Sequence, residues 1–230
     1  MITWSGRVAW LALAISASAL QPDAPNGSTP FNGRLYAVVS RWEAADLDAS
    51  RDGAQVSPQT RARFAIFVRC VATFRSRLPG STNFFANSAS PHQRVLERAL
   101  ACGSDTPNAS SLATEYVAHA TILYEWEGLY TSPLAEAAYA EQFIHEHPTS
   151  PLLPSLQLFV AARMRYAFEL LNGAVIDSEM VSLAQRYDRF LNRARAADPL
   201  VDLIAVDLDG LPFVYRDVGK HPRDFLVRRQ

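Results

Sequence analysis

Residues 155–171, SLQLFVAARMRYAFELL, carry almost no polar face. Only Ser155, Gln157, Arg163, Arg165 and Glu169 are polar, and the other twelve are apolar or aromatic. A helix that is apolar nearly all round has to be covered by other elements on every side. This segment is therefore expected to be the central helix of the fold. Elsewhere the apolar positions recur at steps of three and four, the spacing of amphipathic helices. Residues 64, 67, 68, 71, 74 and 78 form one such stripe, ending at Pro79-Gly80, and residues 95, 96, 99 and 100 form another, ending at Gly103. A third runs through Leu112, Tyr116, His119, Leu123, Trp126 and Tyr130, predicting a helix over about 111–130. A fourth places Met180, Leu183, Ala184, Tyr187, Phe190, Leu191 and Ala194 on one inward face.

The boundaries have a shared chemistry. Ser57-Pro58, Ser90-Pro91, Ser132-Pro133 and Ser150-Pro151 each set a hydroxyl before a residue that needs no backbone donor, as at a helix start. Pro148 forbids continuation past His147, Asn172-Gly173 suits a left-handed stop, and Asp177 or Ser178 caps the helix after it. Asp198-Pro199 opens a short helix toward residue 208, and the stretch Phe213-Val214-Tyr215 reads as a short extended piece. Residues 32–49 predict an early helix with Leu35, Val38, Val39 and Trp42 on one side, although 35–40 also suits a strand. The whole is an all-α chain: about seven helices as antiparallel hairpins packed around the central helix 155–171.

At Phe143-Ile144 and His147-Pro148-Thr149-Ser150 the chain resembles the corner between helices in tetratricopeptide-type arrays of exported bacterial proteins. The likeness covers about residues 137–171. His147 stands where that family has Tyr, Pro151 and Pro154 fall in the next helix, and no second copy occurs 34 residues to either side. The resemblance implies a stack of helical hairpins used as an interaction surface, with no catalytic residues.

Composition narrows the class without naming a function. The 230 residues are 49% hydrophobic and 20% charged, an ordinary globular balance. A formal charge of −1, with no block of arginines, gives no electrostatic case for nucleic acid or an anionic membrane surface. The N-terminus is more specific. Arg7 precedes an apolar run over residues 8–20, and Ala17-Ser18-Ala19 offers the small residues a signal peptidase reads. The expected organisation is a signal peptide over 1–19, a flexible tether over 20–31 and one helical domain over 32–230, exported to the periplasm or the extracellular space. A thirteen-residue helix reaches only about 20 Å, short of the hydrocarbon core, so no membrane span is expected after cleavage, and an uncleaved anchor is the alternative. An oxidising compartment makes Cys70 and Cys102, the only cysteines, a disulfide pair. Closing a loop of roughly 33 residues stabilises by ~3–4 kcal/mol in the chain-entropy treatment; two buried thiols are the alternative.

Candidate chemistry is sparse. Asp207-Leu208-Asp209-Gly210, after an apolar run, resembles the first motif of haloacid-dehalogenase-type phosphatases, but Leu211 stands in the place of its Thr. These acids and Asp202 read instead as the solvated side of a helix. His145 and His147 are two apart on a helix and point to different sides, so they do not make a metal site, and no zinc-binding spacing occurs. No cofactor is expected. His119 lies on an apolar stripe one turn from Glu115, which would suit a general base but suits a hydrogen-bonded core residue better. The aromatic residues on the later helices read as core. The leading expectation is a non-catalytic module that binds another protein through a helical surface or groove. The rival is an enzyme or small-molecule binder with a pocket near His119, Glu115 and nearby tyrosines.

Overall fold

The computed structural model describes residues 56–80, 89–123, 126–171, 178–204, 211–215, 218 and 222. The signal and tether, the helix over 32–49, the stop at Asn172-Gly173, the Asp177 cap and the acids Asp207 and Asp209 lie outside them. The described residues form eight helices and no strand. They are α1 (Pro58–Thr73), α2 (Pro91–Cys102), α3 (Ala109–His119), α4 (Thr131–Glu146), α5 (Leu153–Leu171), α6 (Ser178–Ala197), α7 (Leu200–Ile204) and α8 (Pro212–Tyr215).

Helix α5 is buried without a break from residue 158 to residue 168, Arg163 and Arg165 included. It packs mainly on α4 and α6, and also touches α2, α7 and α8. Helix α2 in turn packs on α3, α1 and α8. The seven residues expected to face inward on α6 are its seven buried residues. Cys70, late in α1, is bonded to Cys102, the last residue of α2, with 5.6 Å between their Cα atoms.

Two starts follow the expected chemistry closely. The Ser57 hydroxyl accepts from the backbone of Thr60. Ser90 and Gln93 form a reciprocal capping box at 2.8 and 3.1 Å, which satisfies two orphan donors at once. The residue after α2, Gly103, is glycine for a steric reason. The glycine is right-handed, at φ −74°, but a Cβ there would lie 2.1 Å from Ser155 Oγ. Only a residue without a side chain lets the end of α2 meet α5.

Elsewhere the expected boundaries move, and buried carboxylates account for two of the shifts. Helix α1 ends at Thr73 and not at residue 78. Glu97, wholly buried on α2, takes hydrogen bonds from the Ser76 hydroxyl, the Arg77 backbone (3.2 Å) and Thr114 (2.7 Å), holding residues 76 and 77 out of the helix. Helix α3 ends at His119, eleven residues before the end of its predicted stripe. The following backbone is drawn off by Glu136, described below, and then turns through left-handed Glu127 (φ 49°) and Gly128 (φ 76°). Helix α4 begins at Thr131, so Ser132 is not its cap and Pro133 is its third residue, where a missing N–H costs nothing. At Ser150 the hydroxyl and carbonyl accept from Leu152 and Leu153 in a turn before α5 proper. Residues 213–215, expected to be extended, belong instead to a helical turn over 212–215 that closes on the Leu211 carbonyl between α2 and α5.

Candidate functional site

A single acid on α4 organises the middle of the molecule. Glu136 and Arg163 are both fully buried, with Nε donating to Oε2 at 2.6 Å. The other carboxylate oxygen accepts from the Leu123 backbone at 3.0 Å and from the Trp126 indole at 2.9 Å. Arg163 Nη1 donates to the carbonyls of Phe213 and Val214 at 2.9 and 3.3 Å. Aromatic rings close the cage, with the guanidinium carbon 4.2 Å from the Phe159 ring centre, 4.8 Å from Phe213 and 5.2 Å from Trp126. Burial pushes the Arg163 pKa down, and the Glu136 charge and hydrogen bond oppose that. Arginine starts so high that it stays protonated. The pair is an internal rivet joining α4, α5, α8, Leu123 and Trp126. Periodicity alone does not single out Glu136, although Arg163 in the middle of an apolar helix is a signal that a buried acid has to meet it.

The second feature is open to water. A cleft of about 480 Å³ lies between α3, α4 and the α4–α5 corner. One wall is Leu112, Glu115, Tyr116 and His119 of α3; the other is Tyr139, Gln142, Phe143 and Glu146 of α4, with residues 147–151 at one end. Each wall repeats at steps of three and four, so each is one face of its helix. Tyr116 holds the walls together. Its ring is 5.2 Å from Tyr139 and stands edge-on to Phe143 at 5.0 Å, while Phe143 lies 4.3 Å from His147.

Charge is distributed unevenly in this cleft. Glu115 and Glu146 are exposed, and among the described residues neither has an ion pair within 4 Å. Glu146 accepts only from Gln142, at 2.9 Å. The Tyr139 phenol is raised by partial burial, then by the charges of Glu146 and Glu115, so both acids act on one side chain. Tyr116 is 2% exposed and its hydroxyl has no hydrogen-bond partner. Burial above all pushes its pKa far up.

His119 is not the buried residue that its stripe predicts. It is exposed at the C-terminal end of α3, because the helix stops there and the face that would have covered it never forms. The structure nonetheless brings His119 and Glu115 to the same cleft as Tyr116 and Tyr139. Glu146 and His147 join them only through the tertiary fold, which no local spacing along the chain reveals. Cys70 and Cys102 do not line the cleft and serve as a staple between α1 and α2. No group of three or more His, Cys, Asp or Glu among the described residues could hold a metal ion. Comparison with protein-family models, curated proteins and solved structures found no match.

Proposed function

We propose that the protein is an exported, non-catalytic interaction module that presents the α3–α4 cleft to another protein. The observation that carries this reading is the cleft itself. It is an open trough of about 480 Å³, walled by two helix faces, with aromatic rings within and acids at its margins. Aromatic anchors with polar groups around them are the usual make-up of a protein-binding surface. The Cys70–Cys102 bond supports export, since such bonds persist in oxidising compartments. No helix among the described residues is long and apolar enough to cross a membrane.

A photo-crosslinking amino acid placed at Gln142, inside the cleft, is expected to trap one discrete protein from the exported fraction. The same group at Arg189, on the outer side of α6, is expected not to. Equal crosslinking from both positions would remove the cleft from the proposal. N-terminal sequencing of the exported chain is expected to begin at residue 20.

A second reading rests on the same walls. Glu115 and His119 sit one helical turn apart beside two tyrosines, which suits an enzyme or small-molecule binder. Native mass spectrometry of the exported protein separates the two, because a bound small molecule would favour this reading over the first.

A further inference from the structure

The cage around Arg163 shows how this protein holds a guanidinium: a carboxylate along one edge and aromatic rings against its faces. The cleft repeats those ingredients at the surface. It has two carboxylates without an ion pair among the described residues and the rings of Tyr139 and Phe143. A further, independent feature is Tyr116, a lining residue of the cleft whose buried hydroxyl has no hydrogen-bond partner.

Resting on the reading of the cleft as a docking surface, we propose that it takes an arginine side chain of the partner polypeptide. The guanidinium lies against the Tyr139 ring and joins Glu115 to Glu146. An acidic segment is excluded by two like charges. Lysine is a compact, strongly hydrated point charge, whereas a guanidinium is planar, stacks on rings and donates along several edges. Two acids beside one ring match that distribution of donors. The cleft volume falls in the range of ~300–1,000 Å³ usual for binding pockets, so the side chain enters with some of its flanking backbone.

The test is a random heptapeptide library selected on the full-length exported protein, with counter-selection on Gln142→Trp, which fills the cleft. Cleft-dependent peptides are expected to share an arginine. Replacing it by citrulline, which keeps the shape and removes the charge, is expected to weaken binding at least tenfold. Glu115→Gln with Glu146→Gln is expected to do the same. Both variants lie at exposed positions, and circular dichroism verifies their fold. If cleft-dependent peptides emerge without arginine, or tolerate citrulline, the arginine assignment is overturned while the docking surface stands. If no selected peptide depends on the cleft, the docking surface itself fails.

Discussion

Among the described residues, two places are built from acids and aromatic rings, and they differ in who supplies the cation. At Glu136 the chain supplies its own: Arg163 is sealed in with it and both are wholly buried. At Glu115 and Glu146 the acids face water, and no described side chain forms an ion pair with them. Burial makes the difference physical. A charge removed from water must be matched inside the protein or the fold is lost, whereas an exposed charge is hydrated and leaves the fold indifferent to it. The first arrangement is therefore fixed in architecture, and the second is free to be used.

The strongest way to break this contrast is to remove one acid from each place. Glu136→Ala leaves the Arg163 charge buried and unpaired and is expected to cost about 3–5 kcal/mol. Glu115→Ala is expected to stay within about 0.5 kcal/mol. Urea unfolding of both variants measures the difference. Replacing the pair with Glu136→Leu and Arg163→Met together should recover only part of the loss: the unmatched charge is gone, but the Leu123 and Trp126 donors and the Phe213 and Val214 carbonyls lose their partners. Equal effects at the two acids would mean that the buried pair is not the rivet described.

The cage also depends on what lies behind it. Helix α8 lends Arg163 two carbonyls and packs on α2, where His92 stacks on Phe213 at 3.9 Å. The disulfide fastens the end of α2 to α1. Replacing both cysteines by alanine is expected to cost about 3–4 kcal/mol, from a freer unfolded chain. Calorimetry should show a lower midpoint. Cleft binding should survive below that midpoint, because neither sulfur belongs to the walls. Loss of cleft binding in the still-folded variant would show that the two regions are not separable.

A smaller effect probes the contact between α2 and α5. Gly103→Ala brings a methyl group to 2.1 Å from Ser155 Oγ and is expected to cost about 1–3 kcal/mol through overpacking. Adding Ser155→Ala removes that oxygen and leaves the Ala99 carbonyl oxygen, 3.1 Å away, and the Ser155 Cβ position, 3.3 Å away, as the remaining close contacts. Most of the stability should return, as thermal melts would show. A non-additive pair is the signature of two atoms competing for one space.

Much of this architecture was legible in the chain. The all-helical class, the Cys70–Cys102 bond and the seven inward residues of α6 follow from short-range periodicity and two cysteines. What periodicity missed was where a helix yields to a buried acid. The stripe from Leu112 to Tyr130 is regular, yet Glu136 takes the Leu123 N–H and the Trp126 indole, and the helix ends at His119. Glu97 does the same past Thr73. Both acids lie outside the segments they reshape, so a window sliding along the sequence cannot see them. The cleft was half visible for the same reason. Glu115 and His119 share a helical turn, but Glu146 and Tyr139 reach them only through the tertiary fold.

The finest test of the contrast is tyrosine ionisation. Tyr116 is raised chiefly by burial, so its folded pKa lies above the ordinary value of about 10. Stability from keeping it neutral is therefore complete below that value and is lost as pH rises through it, because the unfolded chain releases the proton first. Tyr139 is partly exposed and has the same sign, raised by partial burial and then by Glu146 and Glu115. It should titrate reversibly in the folded protein, followed through its ring carbon shifts, while Tyr116 ionises only as the chain unfolds. Glu115→Gln with Glu146→Gln removes both charges, so the Tyr139 pKa should fall toward its usual range while Tyr116 keeps its position. Bound arginine peptide should also lower it, by placing a positive charge beside the phenol. A Tyr139 indifferent to both changes would mean that the two acids do not converge on its ring, and a guanidinium would then have no reason to settle there.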